Sequence, residues 1–527
     1  MRRHVGLAAG AVGTCLLCCA LSVAFGGPSQ TSDESLGAAE ERGLSSFRWR
    51  SCPRGFALLT EDLVCDRASV SSPTGPDPKT VDGRTWWVAN EEELCSSEFA
   101  AGFHAAPSQA FPHGDSLVYD GPLTDAVRHC LERLKPSRLG LGYHVDYAHI
   151  RAWTWIRHLV GPSRDEDLLH LVGLRSLQTL NLEFSNVTDQ GLAHLRWLTS
   201  LEELNLTGTR TTDAGLEHLS GLRRLERLEL GPRVTGAGLV HLNELISLRV
   251  LDLNRLPMMD DHLVHLAAMR SLERLDLSFT KVSDAGLVHL TGLPLRELNL
   301  RYTRIGDRGL AHVGRLRVLE SLELSGTRVS DGGMASLASL RSLRTLGLDG
   351  TVVDGSGLWD LRSLDSLESL SLGGTRVDDA ALSNLAGLHS LRWLNLGQTR
   401  VGDAGMMHLS GLRALDYLFL MNTQVGDAGL EHLSNLRGLE TLFLGFTKVT
   451  DEGLASLSNL HRLHFLFLGY TEVGDAGLPR LAGLPLMKYL DLSGARASDP
   501  TCPSEVPQLP CHEYGLRLHR WTAPPPL

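Results

Sequence analysis

Nine histidines recur at one place in a repeated phrase, "GLxHL" and its variants: His170, His194, His218, His241, His265, His289, His312, His408 and His432. A row of imidazoles could hold a metal or sense pH near neutrality. For metal binding the nitrogens must converge to ~2 Å from one centre. Equivalent residues on neighbouring packed helices stand roughly 8–10 Å apart. The row therefore reads as inheritance through duplication, at a position beside a buried leucine. No nucleophile elbow, P-loop, HExxH or G-x-G-x-x-G occurs, and "GLGLGY" around Gly140 lacks the third glycine. Asn186 in "NVT" and Asn205 in "NLT" fit a glycosylation sequon, but Asn205 falls on an expected strand. Nothing here asks for a catalytic group, a cofactor or a metal.

The cysteines carry redox chemistry instead. Cys15, Cys18 and Cys19 fall in an N-terminal apolar run. Cys52, Cys65, Cys95 and Cys130 lie towards one end of the remaining chain, Cys502 and Cys511 towards the other. An even set clustered at the ends suggests disulfide-bonded caps in an oxidising compartment. Cys502 with Cys511 is the pair set apart from the rest, and the connectivity of the other four stays open. None of these six has the CxxC spacing that would favour zinc. Arg2 and Arg3 precede an uncharged run from Val5 to Phe25, the layout of a secretory signal cleaved after Ala24 or Gly26. That run of about 21 residues is also long enough to span a bilayer, so an uncleaved membrane anchor is the alternative.

The elements that position everything else come from a repeat. "SLEELNLTGTRTTDAGLEHLSGL", "SLRWLNLGQTRVGDAGMMHLSGL" and "GLETLFLGFTKVTDEGLASLSNL" share the pattern LxxLxLxxTxVxDxGLxxLxxL. About fourteen such units run over residues 165–497, with departures at Pro232, Pro257, Pro294 and Ala495. The LxL step has period two, so its leucines face one side of a strand and the residue between faces the other. Thr209, Thr280, Thr303, Thr327 and their successors can bond the turn through their hydroxyls. Asp189, Asp213, Asp284, Asp307, Asp403, Asp427 and Asp451 start the next apolar pattern, where each can cap free N–H groups. The leucines of "GLxxLxxL" recur at i, i+3 and i+6, one face of a short helix. Each unit buries its leucines only against its neighbours, which requires a stack of coils.

This pattern resembles the leucine-rich-repeat superfamily, in particular bacterial repeats with a GALA-type helix and the F-box-type cysteine-containing repeats, with Thr in the Cys place and no F-box. The resemblance implies an α/β fold: a right-handed solenoid with a parallel concave sheet, helices on the convex side, and here disulfide-containing caps. It does not imply an activity. The chain divides into a signal peptide or anchor at 1–26, a polar linker at 27–50 and a small Cys-containing domain at 51–121. An N-terminal cap follows at 122–164, then the repeats at 165–497, then a C-terminal cap and Pro-rich tail at 498–527 with Trp521 as a plug. "CPRGFALLTEDLVCDR" resembles the entry segment of formylglycine-generating-type domains, but the rest of such a domain is missing. Hydrophobic content of 43%, charged content of 21% and a net charge of −11 describe a folded protein without the basic stripe of a nucleic-acid binder.

The binding surface is expected on the concave face. The position between the two strand leucines is polar or small for ten units and then reads Phe419, Phe443, Phe467. Two residues earlier stand Trp393, Tyr417, Phe465 and Tyr489; just after the strand stand Met421, Phe446 and Tyr470. Adjacent strands lie ~4.8 Å apart, so these rings should form one surface, and exposed apolar patches mark interaction sites. Glu203, Glu229, Asp252, Arg274, Asp276, Glu297, Arg301 and Glu323 would supply a polar flank. A self-stabilising aromatic ladder, or cover by the tail or a second copy, competes with an external partner. The sequence reading is a non-enzymatic extracytoplasmic scaffold for a protein ligand, with self-association possible, no nucleic acid, and membrane contact only through an uncleaved N-terminal segment. The alternative is an enzyme or adaptor whose activity lies in residues 51–121. Replacing Phe419, Phe443 and Phe467 together by serine is expected to spare the fold.

Overall fold

The computed structural model describes residues 78–81, 84–88, 116–119, 123–141 and 145–497. The chain divides into two compact units, Met1–Ser69 and Val70–Leu527. The leader, the linker at 27–50, the segment from 498 onward with Trp521, and Cys52, Cys65, Cys95, Cys502 and Cys511 lie outside the described residues. Among the described residues, no helix is long and apolar enough to cross a membrane.

Among the described residues, the second unit carries one sheet of nineteen strands. β1 (Pro78–Val81) pairs antiparallel with β2 (Arg84–Val88). From β2 onward each strand pairs in parallel with the next in sequence, through β3 (Ser116–Tyr119), β4 (Arg138–Leu141) and β5 (His158–Val160). Fourteen three-residue strands follow, from β6 (Thr179–Asn181) to β19 (Tyr489–Asp491). The stretch at 51–121, read from sequence as a domain of its own, thus contributes β1, β2 and β3 to the same sheet.

Each short strand puts its middle leucine inside, as in Leu180, Leu322 and Leu442, all fully buried. One continuous core of leucines runs the length of the stack. The repeat threonines lie beneath the turn and donate to the carbonyl three residues back, Thr209 Oγ1 to Leu206 at 2.7 Å and Thr303 Oγ1 to Leu300 at 2.6 Å. Several convex segments are α-helical for one or two turns, such as Asp307–Val313 and Asp427–Leu433, but others are 3₁₀, such as Gly236–Leu242 and Gly453–Asn459. The leucine spacing explains this: i, i+3, i+6 matches a turn of three residues better than one of 3.6.

The aspartates begin these convex segments, yet their carboxylates bond the following coil. Asp189 Oδ1 accepts from the Thr212 N–H at 2.7 Å and Oδ2 from the Thr212 hydroxyl at 2.6 Å. Asp307 treats Ser330 the same way, and Asp403 accepts from the Gly426 N–H at 2.6 Å. The "DxG" glycine makes room for the preceding coil's carboxylate: a Cβ on Gly215 would stand 2.4 Å from Asp189 Oδ1. Coil-to-coil bonding therefore supplements apolar burial along the stack.

At the N-terminal end, helix α1 (Asp125–Leu134) is capped by Thr124, whose Oγ1 accepts from the Val127 N–H at 3.3 Å. It buries Val127, Leu131 and Leu134. Trp153, fully buried, stacks on Trp155 at 5.7 Å and donates to Glu132 Oε1 at 3.3 Å. Cys130 packs on the core from α1.

Candidate functional site

The concave positions of five neighbouring strands hold the site: β15 (Trp393–Asn395), β16 (Tyr417–Phe419), β17 (Thr441–Phe443), β18 (Phe465–Phe467) and β19. Their register is exact to the residue, with Phe419 opposite Phe443 and Phe443 opposite Phe467. Parallel pairing leaves like positions side by side, so the three rings stack. Phe419 and Phe443 lie 4.5 Å apart between centroids, and Phe443 and Phe467 3.9 Å, each pair 9° from parallel. Trp393 closes one end against Phe419 at 5.0 Å, and Tyr489 the other against Phe467 at 5.1 Å. Five rings form one column.

The column changes the role of its central ring. Phe443 is 2% exposed, its faces taken by Phe419 and Phe467. It supports the surface and offers a ligand almost nothing directly. Trp393, Tyr417, Phe419, Phe467 and Tyr489 are half-buried, and Phe465 is 40% exposed. Burial together with Glu440 and Asp416 pushes the Tyr417 phenol up, and burial with Asp491 does the same to Tyr489, so both remain neutral hydrogen-bond donors. Asp416, buried next to Tyr417 in the chain, accepts from Arg392 Nε at 2.7 Å.

A second ring row runs parallel to the column. Phe446 and Tyr470 stack at 4.4 Å and 9°. Between the rows lie Gly397, Gly445 and Gly469, all buried, and the half-buried Met421. The Met421 methyl group fills the space beside Gly445. The backbone of the second row is unusual: Phe446 and Tyr470 both have φ of 57°, in the left-handed region. The same coil position carries Phe184, Phe279 and Tyr302, also at positive φ. Sequence reasoning missed these three. The signal is the residue immediately before the buried threonine or its replacement Ser185, where other coils place Gly208, Gly326, Gly350, Gly374 and Gly494 at positive φ. A side chain there costs roughly 1–2 kcal/mol that glycine avoids. All five rings are nonetheless 38–53% exposed, so burial does not offset the strain.

The polar flank is present. Arg274 pairs with Glu297 at 2.9 Å, Arg227 lies 3.7 Å from Glu229, and Asn299 Nδ2 donates to Asp276 Oδ2 at 2.8 Å. Burial, reinforced by Glu229, pushes the Glu183 carboxyl up to about 7. Burial likewise raises Glu229 and Asp349. A carboxyl raised in the folded state favours folding while protonated. Its contribution is present below pH 4.5 and is lost as pH rises towards 7. Glu183→Gln should therefore flatten the fall in stability between pH 4.5 and 7 and leave the variant more stable than wild type at pH 7.5, as read by denaturant unfolding at each pH.

The histidine row lies on the convex segments and their ends. His170 Nδ1 accepts from Arg151 Nε at 2.9 Å. Among the described residues, no three His, Cys, Asp or Glu side chains are grouped to hold a metal.

Parallel three-residue strands, in-register leucines and short convex helices repeated coil after coil define a leucine-rich solenoid. The chain is a leucine-rich-repeat protein: the family model for a leucine-rich repeat region matches residues 260–512, and a second leucine-rich-repeat model matches residues 173–195. Among solved structures it is similar to an internalin, InlF of Listeria monocytogenes, at 28% identity over 62% of this chain and 89% of that one, with a TM-score of 0.50. A leucine-rich-repeat protein of Leptospira interrogans matches at 19% identity over 64% of this chain and 83% of that one, with a TM-score of 0.42. A TLR13–ssRNA13 complex matches at 18% identity over 73% of this chain and 67% of that one, with a TM-score of 0.45. No curated protein matches the chain.

Proposed function

We propose that this protein is a non-enzymatic, extracytoplasmic recognition scaffold that takes a protein ligand on the concave face of β15 to β19. The carrying observation is the five-ring column from Trp393 to Tyr489 beside the exposed Phe465, Phe446 and Tyr470. The column is rigid because its rings support one another, so little conformational entropy is lost when a partner covers it. Its exposed neighbours are aromatic, a type enriched at protein interfaces. Export is supported by the composition of residues 1–26 and by cysteines confined to the ends, with Cys502 and Cys511 as a proposed pair.

The test uses the full chain immobilised against concentrated extracellular protein. Phe446→Ser, Phe465→Ser and Tyr470→Ser combined should lower capture of a partner at least tenfold with little change in melting. Trp359→Ser, an exposed ring on a convex segment, should leave capture intact. Equal capture by the triple variant would overturn the reading.

A further inference from the structure

One edge of the solenoid carries a feature that the concave face does not explain. The residue after the buried threonine is a cation in most coils: Arg210, Lys281, Arg304, Arg328, Arg400 and Lys448 are exposed, as is Arg376 near Asp354, while Val352, Gln424 and Glu472 interrupt the row. Their backbones are tied from coil to coil, with the Arg304 N–H donating to Val282, Arg328 to Ile305, Arg400 to Val377 and Lys448 to Val425. Lys281, Arg304 and Arg328 leave the surface on three consecutive coils, at the ~4.8 Å spacing of neighbouring strands, and Arg400 and Lys448 continue the line at wider intervals. Among the described residues Arg210, Lys281, Arg304, Arg328, Arg400 and Lys448 form no ion pair, whereas Arg496, at the same position in the last coil, pairs with Glu472 at 3.2 Å, and Arg249 elsewhere pairs with Glu273 at 2.6 Å. The chain as a whole has a net charge of −11, so this row is a local concentration of the minority sign. The aspartates run one row further on, but their oxygens are bound to N–H and hydroxyl groups of the following coil.

Two residues back from this row, across the buried threonine, stand the strained rings. Their faces are already occupied. Phe279 has the Arg255 guanidinium over one face at 5.1 Å and Tyr302 beside it at 4.8 Å. Tyr302 in turn leans over Gly326, where a Cβ would stand 2.4 Å from the ring. Phe446 stacks on Tyr470, which leans over Gly494 in the same way. With the faces turned along the stack, the edges meet solvent. Ring edges carry the positive side of the aromatic quadrupole. Bases need free ring faces to stack on, and Phe279, Tyr302 and Tyr470 offer none.

We propose that this edge is a second interaction surface, for an extended acidic polypeptide segment. Carboxylates would meet the row of arginines and lysines, and interspersed apolar side chains would lie against the ring edges. Arginine suits this role because its planar fork can bind a carboxylate through two hydrogen bonds. The exposed, strained rings persist because they complete an electropositive strip that glycine would leave bare.

Fluorescence anisotropy with a labelled poly-glutamate peptide and the full chain, at 0.15 M salt, tests the proposal. Wild type should bind saturably. Arg304→Glu, Arg328→Glu and Arg400→Glu combined should weaken binding at least tenfold, and Phe279→Gly with Tyr302→Gly should weaken it several-fold while leaving the fold intact. Arg413→Glu with Arg437→Glu, exposed cations before the strands β16 and β17, is the control and should change binding less than twofold. Equal loss in the control would overturn the proposal, because the effect would then be general charge. Tighter binding of a labelled single-stranded oligonucleotide than of the peptide would overturn it in favour of nucleic acid.

Discussion

Phe443→Ala should lower the unfolding free energy by roughly 3 kcal/mol, while Phe465→Ala, one strand over on the same face, should lower it by less than about 1 kcal/mol. Both residues look alike in the sequence, each a phenylalanine on a three-residue strand. They differ in what surrounds them. Phe443 is 2% exposed and packs face to face with two rings. Truncating it removes both stacking contacts, each worth about 0.5–1.5 kcal/mol beyond burial, and leaves a gap too wide for Phe419 and Phe467, fixed on strands two apart, to close. Phe465 is 40% exposed and touches Tyr489 only at 6.5 Å. Chemical denaturation with an unchanged slope is the measurement. Equal, small losses for both variants would show that the column does not support the fold. The triple serine replacement expected from sequence to spare the fold thus becomes a stability variant, and binding is better tested at Phe446, Phe465 and Tyr470.

The register was readable because parallel coils of nearly constant length leave a strand no alternative pairing. Asn395, Phe419, Phe443 and Phe467 line up because a one-residue slip would turn the adjoining leucines into solvent. Thr303 and its equivalents were readable for a similar reason: a small polar residue just past a buried strand needs a local acceptor, and Leu300 supplies it. The burial of Phe443 was not readable in this way. Its exposure is the sum of what two neighbours 24 residues away leave uncovered, and no local pattern carries that sum. The strained ring row was hidden for another reason. Phe184, Phe279, Tyr302, Phe446 and Tyr470 share their position with glycine, asparagine, glutamine and arginine in other coils, so composition there looks like an ordinary variable turn. Only the backbone angle shows that the position favours glycine, and only then do five aromatic residues become an anomaly.

The aspartates teach the same lesson about locality, and they carry the second large effect. From sequence, Asp427 is a cap for the helix it begins. In the structure its Oδ1 accepts from the Thr450 N–H at 2.8 Å and its Oδ2 from the Thr450 hydroxyl at 2.6 Å, one coil further on. Gly453 makes room, since a Cβ there would stand 2.3 Å from Asp427 Oδ1. Asp427→Ala should cost about 2–3 kcal/mol, because it removes a charged acceptor and leaves a partly buried N–H without its partner. Asp427→Asn should recover part of the loss, since its amide oxygen can still accept one bond but no longer carries charge. A local cap would be lost with the helix it serves. A bond between coils should instead loosen the next coil, so hydrogen exchange in Asp427→Ala should rise in the turn from Val449 to Gly453 as well as in Asp427–Leu433. Faster exchange confined to Asp427–Leu433 would show that the carboxylate acts within its own segment, and the coil-to-coil account would fail.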